Sequence, residues 1–153
     1  MNKGGWPTTT INHHHILHLI KNLKPFNLLI NYLKDTALIR FNCNNDFSGI
    51  KDLKFLIKLS EKLPNTRIFG YTKRLDLKDS IESLDVPKNL VINSNYQELA
   101  EKGNVYKTTY NIQEYINSNY NCIGTCTNCL KCTKRKNKTI YVLLHGPQNR
   151  TDP

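Results

Sequence analysis

Hydrophobic and polar residues recur along this chain with two different periods, and the change of period separates helices from strands. Over residues 11–33 the apolar positions return every three or four residues, which is typical of amphipathic helices, and Pro25 divides the stretch into two. The same spacing predicts a helix over residues 50–63. We expect the side chain of Ser48 or Asp46 to cap the start of that helix.

Short apolar runs bounded by Asn, Asp, Ser and Gly predict strands along the rest of the chain. They lie at residues 36–42, 67–72, 89–94, 104–110 and 138–145. Short helices are predicted at residues 78–84 and 96–103. Because parallel neighbours need crossover connections, strands joined by helices favour a mainly parallel sheet with flanking helices. The sequence therefore predicts an α/β fold.

Length and composition predict one domain with extensions at both ends. We expect a helical N-terminal segment at residues 1–35, an α/β domain at residues 36–145 and a disordered tail at residues 146–153. No apolar run approaches the roughly 18 residues of a membrane span, and the first residues lack the apolar core of a signal peptide. We therefore expect a cytoplasmic protein without a membrane partner.

Four cysteines lie close together in a loop at residues 121–133. Cys122, Cys126, Cys129 and Cys132 form the pattern C-x3-C-x2-C-x2-C, and Cys43 is the only other cysteine. Cytoplasmic thiols stay reduced, so such clustering favours metal ligation over disulfides. A structural zinc usually takes its ligands from two separated knuckles, whereas one loop can wrap an iron-sulfur cluster. The spacing predicts an iron-sulfur cluster, of 4Fe–4S type, with zinc as the alternative.

The first three of these cysteines also match the cluster loop of radical S-adenosylmethionine enzymes, which leaves one iron open. Two features of this chain argue for a closed cluster instead. Cys132 supplies a fourth ligand, and the motif follows the strands rather than preceding them. Asn128 also stands where those enzymes usually have an aromatic residue. We expect a closed cluster to be structural or to transfer electrons.

Polar residues follow several of the predicted strands. Ligands of parallel α/β folds bind outside the carboxyl ends of the strands, where Asp46, Lys73, Tyr71 and Asn93 would lie. Asp46 and Lys73 are the candidate catalytic residues of this rim. The alternative interpretation is that Asp46 caps a helix and Lys73 is solvated. The chain contains no nucleotide-binding glycine loop, HExxH or GxSxG motif, which disfavours nucleotidases, dehydrogenases, zincins and serine hydrolases.

Charge and histidine content add two weaker signals. The formal net charge is +10, which favours an anionic partner such as nucleic acid. The dense basic run that would contact phosphates comprises Lys131, Lys134, Arg135, Lys136 and Lys138. A solvated run is the alternative. His13, His14, His15 and His18 resemble a metal site, but no carboxylate or cysteine stands near them.

Four stretches together resemble the phage proteins grouped as the gene product 88 domain family. They are RFNCNNDF (40–47), LPNTRIFGYTK (63–73), CIGTCTNCLKC (122–132) and KNKTIYVLLH (136–145). The strand ending in YTK is also similar to proteins with a radical-SAM-like half barrel. The resemblance implies a phage or prophage origin, a half-barrel-like sheet and metal-linked chemistry in the host cytoplasm, but no particular reaction.

This chain departs from the family pattern at two places. Family members commonly begin with a further cysteine-bearing segment, and here no cysteine precedes Cys43. Where relatives have Ser-Gly-Asp-Phe, this chain has Asn44, Asn45, Asp46 and Phe47. These departures imply a shortened form of the family protein. The sequence-based alternatives are thus a metal-linked redox or radical-SAM-related protein and a structural-zinc module that binds nucleic acid.

Overall fold

A parallel α/β sheet forms the framework of the protein. The computed structural model describes residues 8–10, 26–42, 46–123, 129–134, 136 and 138–143, with only the backbone of residues 8–10. Six parallel strands follow one another in chain order: β1 (Thr8–Thr10), β2 (Leu38–Phe41), β3 (Arg67–Thr72), β4 (Leu90–Ser94), β5 (Val105–Thr109) and β6 (Thr139–Leu143). The predicted α/β class with a parallel sheet is confirmed.

Helices connect most of these strands. They are α1 (Phe26–Leu33), α2 (Ile50–Lys62), α3 (Lys78–Ser83) and α4 (Ile112–Asn117), with 3-10 turns at Leu75–Leu77, Gln97–Lys102 and Lys131–Thr133. The helix expected over residues 96–103 is thus a 3-10 helix. The first of the two expected N-terminal helices falls outside the described residues. In the part of the chain that the structure describes, no helix is long and apolar enough to cross a membrane.

The start of α2 differs from the prediction. Gly49 is the N-cap residue and provides no side-chain cap. Instead, Asp52 in the first turn reaches back and accepts hydrogen bonds from the backbone N–H and the hydroxyl of Ser48, both at 2.7 Å. The carboxylate therefore stabilises the positive end of the helix dipole from within the helix. The prediction that the side chain of Ser48 or Asp46 caps this helix is therefore wrong.

Alternate residues of each strand point to opposite faces of the sheet and build two apolar clusters. Ile39, Ile68 and Ile92 face the helices, where they pack with buried leucines of α1 and α2. The other face carries a smaller cluster. Its members are Leu38, Phe69, Val91, Tyr106, Cys132 and Ile140, with Tyr71, Tyr120, Cys122 and Leu130 packed at its margin. The described parts of the cysteine-bearing segment, residues 120–123 and 129–134, therefore pack on the face opposite the helices.

A step divides the sheet between β4 and β5. These two strands pair at one position only, Ser94 with Val105, whereas β5 and β6 pair along all of Val105–Thr109. The last four residues of β5 therefore extend beyond the carboxyl end of β4, by about 13 Å at the usual rise per strand residue. The strands β5 and β6 form a wall above the carboxyl edge of the sheet.

Candidate metal site

The first cysteine of the motif is positioned by backbone pairing with β6. The Cys122 N–H donates to the Tyr141 carbonyl oxygen at 2.7 Å, and the Tyr141 N–H donates to the Tyr120 carbonyl oxygen at 2.9 Å. Asn121 forms an isolated parallel bridge with Tyr141. Tyr115 of α4 donates its hydroxyl to the Cys122 carbonyl oxygen at 2.6 Å. Cys122 is thus held at the edge of the sheet, half-buried.

The last cysteine of the motif lies in the 3-10 turn Lys131–Thr133. Leu130, at the start of this turn, has a φ of 52°, a left-handed conformation that is rare for a leucine. The hydroxyl of Thr133 donates to the Leu130 carbonyl oxygen at 2.8 Å and closes the turn. Because the chain turns here, Cys132 points into the apolar cluster on the sheet, where it is 5 % exposed.

Two buried asparagines tie this turn to the sheet. Asn93 in β4 donates from Nδ2 to the Cys132 carbonyl oxygen at 3.1 Å. Its Oδ1 accepts from the backbone N–H and Nδ2 of Asn104, at 3.1 and 2.8 Å. Asn104 in turn donates to the Lys134 carbonyl oxygen at 2.9 Å and accepts from the Lys136 N–H at 3.2 Å. Both amide side chains therefore satisfy backbone groups of the cysteine-bearing segment.

Tyr71, near the end of β3, lies beside two of the cysteines. Its hydroxyl is hydrogen-bonded to the Cys132 side chain. Burial raises the pKa of Tyr71 far above its usual value, and negative charge on the nearby Cys132 and Cys122 sulfur atoms raises it further. The ring packs edge-on against Tyr106 at 5.0 Å, and the Arg40 guanidinium lies 5.6 Å from the ring centre. Tyr71 therefore presents a protonated hydroxyl to the cysteine side chains.

A second tyrosine, Tyr120, lies near the last two cysteines of the motif. Burial raises the pKa of Tyr120, with smaller contributions from Cys129 and Cys132. Lys131 lies over this ring at 5.4 Å and donates from Nζ to the backbone and side-chain oxygens of Asn121, at 3.1 and 3.3 Å. Lys131, which the sequence assigned to the basic run, is therefore engaged within the segment itself.

The donor set of this segment suits a thiolate-ligated metal. Cys122 and Cys132 lie near one tyrosine hydroxyl, and Cys129 and Cys132 lie near another. Among the described residues, however, no three His, Cys, Asp or Glu side chains are arranged to hold a metal ion. Cys126 falls outside the described residues, so the four-cysteine site remains a prediction. The histidines at positions 13–18 and Cys43 also lie outside the described residues.

The predicted polar rim brings Asp46 and Lys73 together, but through the backbone of Lys73. Asp46 accepts from the Lys73 N–H at 2.5 Å, the Thr72 hydroxyl at 2.7 Å and the Phe47 N–H at 2.7 Å. Asn42 Nδ2 is a longer donor at 3.4 Å. These bonds use both carboxylate oxygens to join the loop after β2 to the end of β3. The geometry favours a structural role for Asp46.

Lys73 also lines a different site, a cleft of about 570 Å³ at the step between β4 and β5. Tyr106, Lys107 and Tyr141 form its wall. Lys107 is paired with Glu114 at 2.7 Å, whereas Lys73 is exposed and forms no ion pair with any described acidic residue. Burial, followed by the charge of Asp46, raises the pKa of Tyr106 to about 12. This cleft can accept a polar, anionic molecule.

The sequence identified the cysteines and placed Tyr71 and Asn93 at strand ends, but it missed Asn104 and Tyr120. Nothing in a single sequence marks either residue as part of a network. Comparisons of the chain with protein families, with characterised proteins and with solved structures found no match.

Proposed function

We propose that this protein holds a 4Fe–4S cluster through Cys122, Cys126, Cys129 and Cys132 and transfers electrons. The observation that carries the proposal is the packing of Cys132, which is 5 % exposed and is hydrogen-bonded to the Tyr71 hydroxyl. A buried cysteine in a motif of four, beside a hydroxyl donor, has the surroundings of a metal ligand.

Such a cluster, when bound, supplies one-electron transfer at a potential that depends on its environment. The residues of this chain would set that environment. Tyr71 donates to a ligand sulfur, which stabilises negative charge on the ligand. The apolar cluster around Phe69 and Ile140 limits the access of water from the sheet side. The arrangement favours a site for electron transfer over a solvent-exposed structural knuckle.

The proposal extends to the family and the location of the protein. The cysteine-rich segment followed by a strand supports membership of the phage gene product 88 domain family, and we propose that the protein works in the host cytoplasm. Six strands in chain order, with helices on one face, support a half-barrel-like sheet. Any reaction would take place in the cleft at Lys73, about 570 Å³ in volume, because ligands of parallel sheets bind at the carboxyl edge.

The test is the metal content of protein purified without oxygen. We expect about four iron atoms and four acid-labile sulfides per chain, and a broad visible absorbance that bleaches with dithionite. Changing any of the four motif cysteines to serine is expected to lower the iron content. Cys43→Ser is the matched control, because it removes the one cysteine outside the motif.

Three outcomes would contradict this proposal. A colourless protein with zinc and no sulfide would support the structural-zinc alternative. Full iron content in Cys132→Ser would show that the cluster is not closed by a fourth cysteine. Protein with neither iron, sulfide nor zinc would leave the cysteines without a metal role.

A further inference from the structure

A basic groove lies at the amino ends of β3 and β4, on the opposite edge of the sheet from the Lys73 cleft. It consists of two adjoining recesses of about 490 and 200 Å³ that share Asn65 and Arg67. Arg67, Lys88 and Lys134 line it, and Leu130 lies at its far end.

The charges of the basic groove are not compensated. Arg67, Lys88 and Lys134 are exposed, and none of them forms an ion pair with an acidic side chain in the described ranges. None of the described Asp and Glu residues lines either recess. Exposed Lys136 and Lys138 follow Lys134 along the chain. Three cations that converge without a counter-charge attract anions and repel one another unless an anion is bound.

The walls of the basic groove are fixed by hydrogen bonds from asparagines. Asn89 Nδ2 donates to three backbone carbonyl oxygens of the turn before β3, those of Ser60, Leu63 and Thr66, at 2.9 to 3.0 Å. On the other side, Asn104 donates to the Lys134 carbonyl oxygen at 2.9 Å. The backbones that carry the three cations are therefore held in place before any ligand arrives, which lowers the entropy lost on binding.

We propose that the basic groove binds the phosphates of a nucleic-acid strand. A small anion would meet only two or three cations, whereas a strand can follow the groove from Arg67 to Lys134 and continue past Lys136 and Lys138. Arg67 offers a planar fork that suits phosphate oxygens. Compared with the basic run expected from the sequence, this surface gains Arg67 and Lys88 and loses Lys131, whose ammonium group is engaged at Asn121. Arg135 of that run lies outside the described residues.

The test is fluorescence anisotropy with a labelled single-stranded DNA of about 20 nucleotides, titrated with the full chain between about 50 and 200 mM salt. The variant is Arg67→Glu with Lys88→Glu. The control, Lys51→Glu with Lys54→Glu, makes the same change of charge at exposed positions of α2. We expect the groove variant to lose at least about tenfold in affinity and to show a shallower salt dependence, by about 0.7 per phosphate contact removed.

Several results would overturn the proposal. Equal losses in the groove and control variants would show that only net charge matters. Undetectable binding by the unchanged protein, binding insensitive to salt, or tighter binding to anionic phospholipid vesicles than to the oligonucleotide would also do so. Inorganic tripolyphosphate serves as a competitor. Full competition at equal phosphate concentration would point to a small anion and overturn the proposal. A duplex of the same length is a further arm, and duplex binding that is weakened in the groove variant but not in the control would support the proposal.

The outcome is independent of the metal proposal. Arg67 and Lys88 of the groove variant, like Lys51 and Lys54 of the control, are exposed, so both charge-reversal variants are expected to fold. Iron content is measured in every sample. Loss of DNA binding with iron content unchanged would separate the basic groove from the cysteine site.

Discussion

At the scale of single residues, the tyrosine beside the cysteines is the most informative side chain. Tyr71 is held from three sides, by Tyr106 at its ring, by Arg40 above it and by Cys132 at its hydroxyl. A buried hydroxyl needs a hydrogen-bond partner, and here the partner is a sulfur atom. A metal-bound thiolate has no proton, so against such a ligand the Tyr71 hydroxyl would be the donor.

Tyr71→Phe removes that donor and leaves the ring. In protein loaded with a cluster, we expect the reduction potential to fall by tens of millivolts, since one hydrogen bond is worth about 1 kcal/mol and donors to sulfur stabilise the reduced state. The measurement is a dithionite titration followed by absorbance. Tyr110→Phe, at a 68 % exposed position, is the control. An unchanged potential with full iron content would show that Tyr71 does not contact a ligand.

Gly103 follows the 3-10 helix Gln97–Lys102, and its lack of a side chain lets the backbone lie directly against β4. A Cβ atom at Gly103 would lie 2.0 Å from the Ile92 carbonyl oxygen, which is backbone and cannot swing away. We expect Gly103→Ala to destabilise the protein by about 3 kcal/mol, the upper part of the range for overpacking. At Gly49 a Cβ would meet nothing within 4 Å. Gly49→Ala is therefore expected to cost less than about 1 kcal/mol.

Urea unfolding of both glycine variants checks this difference. Comparable losses of stability in the two variants would mean that the backbone around Gly103 adjusts more easily than its contacts indicate.

At the scale of elements, the step between β4 and β5 explains why two asparagines are buried together. Where β5 leaves the edge of β4, the backbone groups of the sheet lose their regular partners. Asn93 and Asn104 supply hydrogen bonds there, and they also bind the carbonyl oxygens of Cys132 and Lys134. One network thus joins the sheet, the cysteine-bearing turn and a wall of the basic groove.

Asn93→Ala is expected to break this network. It leaves the Cys132 carbonyl oxygen and the backbone N–H of Asn104 without their partner, and an unsatisfied buried group costs about 1 to 3 kcal/mol. We therefore expect a loss of about 3 kcal/mol in urea unfolding, together with faster alkylation of Cys132 in metal-free protein. Asn95→Ala, exposed two residues later, is the control. Slow alkylation in both variants would show that Asn93 does not hold the turn.

Much of the secondary structure could be predicted from the sequence, because apolar runs report burial directly. The strand over residues 67–72 occurs as Arg67–Thr72, and residues 36–42 contain β2. The three-residue strand Thr8–Thr10 was missed because its polar sequence carries no apolar signal and only pairing with β2 defines it. Helix α4 was also missed, although Asn111 followed three residues later by Glu114 is an N-cap signature that the structure uses.

The candidate sites were less predictable, because they depend on contacts between distant parts of the chain. The spacing of the cysteines indicated metal chemistry, but not that Asn93 and Asn104 would hold their turn. Asp46 stood at the expected rim, yet its oxygens are used by Thr72 and by the backbone of Lys73. A local pattern gives the position of such a residue along the chain, whereas its partners come from the tertiary fold.

At the scale of the whole molecule, the sheet separates two kinds of packing. Helices α1 and α2 cover one face through a large apolar cluster that includes Leu53 and Leu56. The other face has a smaller cluster, completed by Cys132 and the margin residues of the cysteine-bearing segment. The helical side can therefore remain folded on its own contacts. The stability of the second face depends on how firmly the cysteine-bearing segment is held.

Removal of the proposed metal is therefore expected to loosen one side of the molecule selectively. A metal adds its binding free energy to the folded state, and that energy acts on the segment that ligates it. We expect the amides of β5 and β6, which carry Tyr106 and Ile140, to exchange at least about tenfold faster in metal-free protein.

The amides of β2 and β3 provide the internal control, because their helix-facing residues Ile39 and Ile68 belong to the large cluster. Hydrogen exchange of the loaded and metal-free protein, followed by mass spectrometry, measures both regions in the same sample. Uniform acceleration over all strands would mean that the protein unfolds as one unit and that the two faces are coupled. Unchanged exchange at β5 and β6 would mean that the apolar cluster alone holds the segment, and that any metal bound there adds nothing to the fold.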